Sequence, residues 1–343
     1  MSVDEIRDDA PRLHLKLLRA IPMVIVLGLL VHFLLPRLGT IEDSLKLVRH
    51  LRPVALTLAV VMETLSYVAN GLLLQQVVCL AQDRVSLRRA VAIEAGASTV
   101  ALVAAGALGF GAAIYKWLRG SRVSVDAAML STWLPPVFDS TALILFAIAS
   151  GIELLIAHQL SRTTEVALAV VVSVLTAVIV LAIALLARDA WRIAISQRVA
   201  RLVKRVHPKW DASGFLDAAE RASQMWHRIR LGGWIRPAAA SVMVLTFDLL
   251  CLRYAFIAAG HPLHFSLLLG GYGVPILLGR ASFLPGGIAV TELTMAALFG
   301  GLGVPASTAV VAVLTYRLIS FWLPSLIGAP IAITLQSSKA KAE

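Results

Sequence analysis

Residues 283–293 read FLPGGIAVTEL and stand inside a long apolar tract. Pro285, Gly286 and Gly287 are poor material for a continuous helix, and Glu292 puts a carboxylate just past the break. A helix that merely crosses a bilayer has no use for either feature. What surrounds this break decides the architecture of the chain.

Hydrophobic residues fill 59% of the 343 positions and charged ones 15%, with a mean hydropathy of +0.83. A soluble domain of this length needs a far more polar surface, so the composition is that of an integral membrane protein. Apolar runs near or above the roughly 20 residues that span hydrocarbon recur along the whole chain. Full spans are expected at 18–36, 53–80, 127–157, 164–187, 234–259 and 305–335. The run 21–35 follows mixed acids and bases and has no small-residue cleavage site after it, so it reads as a retained first helix. Cys79 and Cys251, far apart in apolar segments, read as packing thiols.

The net charge of +11 points to a membrane surface and not to nucleic acid, because of where it sits. Residues 188–236 carry eleven Lys/Arg against four Asp/Glu in one polar loop. That asymmetry places the loop in the cytoplasm, where two amphipathic stripes in it suit an anionic leaflet. With the loop inside, the tract 264–303 must enter and leave on the outer side as a re-entrant hairpin turning at Pro285-Gly286-Gly287. The tract 90–117, flanked by Arg84, Arg88, Arg89 and by Lys116, Arg119, Arg122, must do the same on the inner side. Both termini are then cytoplasmic.

The chain thus divides into two units of opposite orientation: 53–157 with hairpin 90–117, and 234–335 with hairpin 264–303. An offset of 181 residues superposes Gly106 on Gly287, Gly120 on Gly301, Val123 on Val304 and Ala128 on Ala309. Inverted repeats with broken helices meeting near the midplane are a common transporter architecture. The expected fold is all-α, with six spans and two re-entrant hairpins.

Irregular backbone persists in a membrane only where protein buries it or water reaches it. The helix beginning after the elbow aims its positive end there, which suits an anion such as phosphate. Arg280 and Arg317 lie close by in sequence, with Asp248 and Arg253 on the preceding span. Each such charge costs about 2.5–3.5 kcal/mol at a helix centre, so partners or a wet cavity are expected. Arg280, Pro285, Gly286, Gly287, Glu292 and Arg317 are the candidate substrate-binding residues. Glu292 either titrates or simply holds Arg317 in an ion pair. Asn70, Glu94, Asp139, Asp248 and Arg253 are candidates for the cavity lining, and Glu63 and Tyr67 share the helical face of Asn70.

Residues 284–328 resemble the C-terminal signature of the lysylphosphatidylglycerol synthase transmembrane-region family of flippase-like proteins. The matching elements are Leu284-Pro285-Gly286-Gly287, Glu292, the turn Leu302-Gly303-Val304, and Arg317 in the next helix. The resemblance implies a bacterial inner-membrane protein that moves a lipid between leaflets, and the family spans aminoacylated phospholipids, polyprenyl phosphates and hopanoid-related lipids. The family's first-half motif, similar to Pro-Gly-Arg-x-Gly-Glu, is replaced by AAGALGFG at 104–111, and the aminoacyltransferase domain of the synthases is absent. Lipid aminoacylation is therefore not expected.

No Ser–His–Asp order, Walker loop or metal-ligand spacing is visible, and His261 and His264 read as interfacial residues. Neither an enzyme nor a cofactor is expected. The reading is a flippase-like transporter whose partners are membrane lipids with anionic or polar headgroups, and the chain can self-associate. The rival is a non-transporting scaffold that recruits lipid or glycan biosynthesis enzymes through loop 188–236. Pro135, Pro136 and Pro324 are expected to kink their spans.

Overall fold

The computed structural model describes residues 50–103, 107–156, 231–282 and 285–340, with Leu47, Val48 and isolated helical positions between 166 and 197. Every regular element among them is helical: α1 Pro53–Leu80, α2 Leu87–Val103, α3 Ala107–Gly120, α4 Val125–Ile156, α5 Leu231–Ala258, α6 Phe265–Ala281, a 3-10 turn Pro285–Gly287, α7 Val290–Gly301, α8 Ala306–Arg317, a π turn Leu318–Trp322 and α9 Leu323–Ala340. Among the described residues four stretches are long and apolar enough to cross a membrane: Pro53–Leu80, Val125–Glu153, Gly233–Ala258 and Ala306–Gln336. The expected span 18–36, and almost all of span 164–187 and loop 188–236, lie outside the described residues. Tracts 90–117 and 264–303 each fold as two short helices packed on one another.

Proline at the first helical position starts α1 with its φ already helical. The turns after α3 and α7 are built alike. Arg122 and Gly303 both have positive φ, and the amides of Val123 and Val304 donate back to the Leu118 and Phe299 carbonyls at 3.2 and 3.0 Å. From Pro53 to Leu231 and from Leu87 to Phe265 the offset is 178 residues, and the paired helices have equal lengths of 28 and 17 residues. From Val125 to Ala306 the offset is the 181 residues found in the sequence. The single offset therefore holds only from α3 onward, and the extra residues of the second half fall in the elbow between α6 and α7. Gly106, used in the sequence superposition, lies outside the described residues.

α1 and α5 make the most extensive helix contact in the fold, and they run antiparallel. The amide of Arg52 donates to the Ala258 carbonyl at one end, and the hydroxyl of Ser66 to the Val244 carbonyl midway. α2 lies antiparallel on α9, with the hydroxyl of Thr99 on the Ser325 carbonyl and Gly328 against Ala95. α4 lies antiparallel on α6, with the hydroxyl of Ser150 on the Ser266 carbonyl and Gly273 against Ala147. Small residues let these helices approach closely. One buried cluster joins α5, α6, α7 and α8 around Phe256, Tyr272, Phe299 and Tyr316. A second joins α1, α2, α3 and α9 around Leu74, Ile93, Trp117 and Leu335. Large apolar side chains such as Leu145, Ile152, Leu326 and Ile333 face outward, as lipid contact requires. α4 continues through Pro135 and Pro136, whereas the π turn stands immediately before Pro324, where the missing proline N–H loosens the helix ladder.

The turns α1–α2 and α3–α4 meet at one end of the molecule. Asp83 Oδ2 accepts the Ser124 amide at 2.6 Å, Oδ1 accepts the Arg84 amide at 2.8 Å, and the Arg89 guanidinium donates to Ser121 Oγ at 3.1 Å. The backbone amides of Ser124 and Arg84 hold the Asp83 carboxyl below the ordinary carboxylate range. A depressed carboxyl stabilises the fold above its unfolded value, and that contribution is lost as pH falls through the folded one. Protection of the Ser124 amide from exchange, relative to its intrinsic rate at each pH, is therefore expected to fall on acidification in the wild type, and to be low at all pH in Asp83→Ala.

Candidate functional site

The seam between 53–156 and 231–340 holds a cavity of about 860 Å³. Its wall draws on α1 (Glu63, Ser66, Tyr67, Asn70), α2 (Glu94, Ser98), α4 (Asp139, Ser140), α5 (Asp248), α6 (Arg280), the elbow (Gly286, Gly287), α7 (Thr291) and the α8–π-turn junction (Tyr316, Arg317, Ser320). So much polar surface among apolar helices is sustainable only where water or a ligand reaches it.

Arg317 fixes one side. Its side chain is 8% exposed; Nε donates to Glu292 Oε1 at 2.7 Å and Nη2 to the Gly286 carbonyl at 2.9 Å. The guanidinium also stacks over Phe321, 4.5 Å from the ring centroid. One residue thereby ties α7, the elbow and the π turn to the end of α8. The elbow glycines have steric reasons of their own. Gly286 and Gly287 have φ of 63° and 64°, and a Cβ on Gly287 would lie 2.7 Å from the Gly279 Cα. A Cβ on Gly286 would strike the Phe321 ring. The space beside these glycines is thus filled by protein, and it is a carbonyl of the elbow that meets Arg317. Ala289 gives no side-chain cap to α7, whose first turn instead carries Glu292, favourably placed at the positive helix end.

The other side is acidic. Asp139 Oδ1 accepts the Ser241 hydroxyl at 3.0 Å, and Oδ2 stands 3.8 Å from Arg280 Nη2, whose side chain is 40% exposed. Asp248 Oδ2 accepts two hydroxyls, from Tyr272 and, at 3.0 Å, from Tyr316. Glu63, 5% exposed, lies against Asp248 and the Cys251 thiol. Glu94 is buried in the α2 wall. Four carboxyls thus face two guanidiniums, and one of the two, Arg317, is already held by a fifth carboxyl.

The elbow, the glutamate bonded to an arginine one helix later, and the polar seam form one connected unit, and a sequence model that spans this unit decides kinship. A family model for the lysylphosphatidylglycerol synthase transmembrane region matches residues 20–328. The chain belongs to that family. Its match to this transmembrane-region family covers the whole cavity, from Glu63 on α1 to Ser320 in the π turn. Among curated relatives, a UPF0104 membrane protein of Pyrococcus horikoshii is 35% identical over 94 residues, 26% of this chain and 28% of the relative. A UPF0104 membrane protein of Methanothermobacter thermautotrophicus is 38% identical over 88 residues, 25% of this chain and 26% of the relative. The matched segment spans about a quarter of each relative's length.

Of the residues singled out in the sequence, Arg280, Gly286, Gly287, Arg317, Asn70, Glu94, Asp139 and Asp248 meet at this cavity. Glu292 stands behind the wall as the anchor of Arg317, and Pro285 opens the 3-10 turn. Arg253 is half-buried elsewhere on α5 and does not line the cavity. Tyr272, Tyr316, Ser241 and Ser320 were not anticipated, since a hydroxyl in an apolar helix gives no signal until its acidic partner is placed.

Proposed function

We propose that this chain is a flippase-like lipid transporter that carries a polar-headed lipid between membrane leaflets, and that it works as a carrier and not as a catalyst. The observation that carries this reading is the polar cavity walled by both antiparallel halves. Equal helix lengths, matched turns and the antiparallel α1–α5 pair support an inverted repeat, with α2–α3 and α6–α7 as its re-entrant hairpins. Rocking one half against the other would expose the cavity alternately to each leaflet while the lipid tails stay in hydrocarbon. The end bearing Arg84, Arg88, Arg89, Lys116, Arg119 and Arg122 is read as cytoplasmic, because these six cations outnumber Arg52 and the histidines of the described turns at the opposite end.

The lining also narrows the headgroup. Arg317 is engaged by Glu292 and Gly286, so a phosphate falls to Arg280, which has only the long contact with Asp139. The acids opposite suit hydroxyl or amino groups beyond that phosphate better than further negative charge. Proteoliposomes holding fluorescent phospholipids, with the outer leaflet chemically quenched, test the reading. Arg280→Ala is expected to slow exchange about tenfold or more, the worth of one charge-assisted hydrogen bond. Wild-type vesicles that exchange no faster than protein-free ones would refute the proposal.

A further inference from the structure

Most charged groups at the seam have their partners: Arg317 with Glu292, Arg280 with Asp139, and Asp248 with two tyrosine hydroxyls. Glu94 and Glu63 are the exceptions, and of the two only Glu63 has a buried carboxyl oxygen without a hydrogen bond. It is 5% exposed, its Oε2 accepts no hydrogen bond, and it lies against a second carboxyl, that of Asp248. The groups facing it are Ser66 and Tyr67 on α1, Glu94 on α2, Asp139 on α4, Asp248 and Cys251 on α5, Tyr272 and Arg280 on α6, and Tyr316, Arg317 and Ser320 around the end of α8. The two guanidiniums in this set are engaged by other carboxyls. Nothing near Glu63 is placed to neutralise a carboxylate except a proton.

We infer that Glu63, held against Asp248 at the seam of the two halves, binds one exchangeable proton, and that its release accompanies the passage between access states. The second clause rests on the transport reading above; the first does not. Asp248, with two hydroxyl donors on one oxygen, is equipped to remain a carboxylate. Glu63 is equipped to be the acid. A buried carboxylate with no cation of its own and only the weak Cys251 thiol as donor costs more than the proton that removes its charge. The proton leaves Glu63 for the cavity water, since Glu63 forms part of the cavity wall.

The matching of the halves indicates where the freed charge finds a donor. The offset of 178 carries Glu63 to Ser241, and that of 181 carries Asp139 to Ser320. The bond between Ser241 and Asp139 is made here; its mate, between Ser320 and Glu63, is not. Ser320 lines the same cavity. When the halves exchange conformations, Ser320 donates to a deprotonated Glu63 while Asp139 loses Ser241. The proton and the access state are thus linked through one hydroxyl.

Cys251 supplies a reporter that needs no change at the site. The chain has two cysteines, and Cys79 is exposed whereas Cys251 is buried against Glu63. Full-length Cys79→Ala protein in lipid nanodiscs leaves a single S–H infrared band. That band is expected to shift with pH, with the same midpoint as the loss of a protonated-carboxyl band, and both changes should be missing in Glu63→Gln. An S–H band fixed from about pH 4 to about pH 10, spanning the side-chain carboxyl range, overturns the site whether or not Glu63→Gln folds. A carboxyl band with the wild-type Cys251 midpoint that still titrates in Glu63→Gln overturns it too. In pH-dye-loaded proteoliposomes, lipid exchange should move protons in wild type and not in Glu63→Gln, and Ser320→Ala should slow exchange while leaving the Cys251 titration in place. Normal exchange in Ser320→Ala overturns the linkage. Titration of Cys251 without any lipid exchange would refute transport and leave the proton site standing; exchange with a silent Cys251 would do the reverse.

Discussion

Arg317→Ala is expected to destabilise the folded chain by about 3–5 kcal/mol, the cost of leaving one member of a buried ion pair without its partner. The estimate follows from Glu292, whose side chain is 15% exposed and whose Oε2 already accepts no hydrogen bond. Removing the guanidinium strips Oε1 as well and strands a carboxylate at the start of α7. The Gly286 carbonyl loses its donor, and Phe321 loses its stacked cation. Arg317→Lys is not a rescue, because one ammonium cannot supply two directed N–H bonds and a planar stack together. The measurement is the melting temperature in detergent, read beside lipid exchange in proteoliposomes. Arg317→Met combined with Glu292→Gln removes both charges, and should recover most of the lost stability. If Arg317 only locks the hairpin to α8, the double variant also recovers exchange. If exchange stays lost in a stable double variant, the guanidinium acts on the lipid.

The sequence carried the fold well because its information was coarse. Apolar runs mark the long helical segments, and the helices from 53 to 156 and from 231 to 340 follow those runs within a few residues. The offset of 181 was legible from Gly120, Val123 and Ala128, which stand in or beside a turn that both halves close with the same backbone hydrogen bond. The offset of 178 was not legible, because α1 and α5 are equal in length but share few identities. The hydroxyls are the other loss. Glu63, Glu94, Asp139 and Asp248 stand out as charges in apolar helices, whereas Tyr316 and Ser241 look like ordinary helix residues until the fold places them beside Asp248 and Asp139. The elbow glycines have a second, steric reason that the sequence does not show. Pro285-Gly286-Gly287 reads as a place where a headgroup approaches the backbone; both glycines line the cavity, and on the side a Cβ would take they meet Gly279 and Phe321.

That occupancy yields the second large effect. Gly287→Ala is expected to cost about 2–5 kcal/mol, combining roughly 1–2 for a non-glycine residue at positive φ with roughly 1–3 for overpacking. The overpacking share is set by backbone, since the new Cβ would meet the Gly279 Cα, C and O at 2.7–2.8 Å, and a backbone cannot swing aside as a side-chain tip can. α6 and the elbow would have to part, drawing Arg280 and Gly286 away from their places on the cavity wall. Two glycines separate the contributions. Gly303 has a φ of 89° with nothing within 4 Å of the Cβ position, so Gly303→Ala should show the backbone share alone, about 1–2 kcal/mol. Gly300 lies in α7 with the same open space and a helical φ, so Gly300→Ala should stabilise by up to about 1 kcal/mol. Ranking the three variants by melting temperature decides the point. If Gly287→Ala falls level with Gly303→Ala, the elbow yields at no cost, and its close approach to α6 is not what fixes the cavity wall. If Gly287→Ala falls well below and lipid exchange falls with it, the diglycine shapes the site by letting two backbones touch.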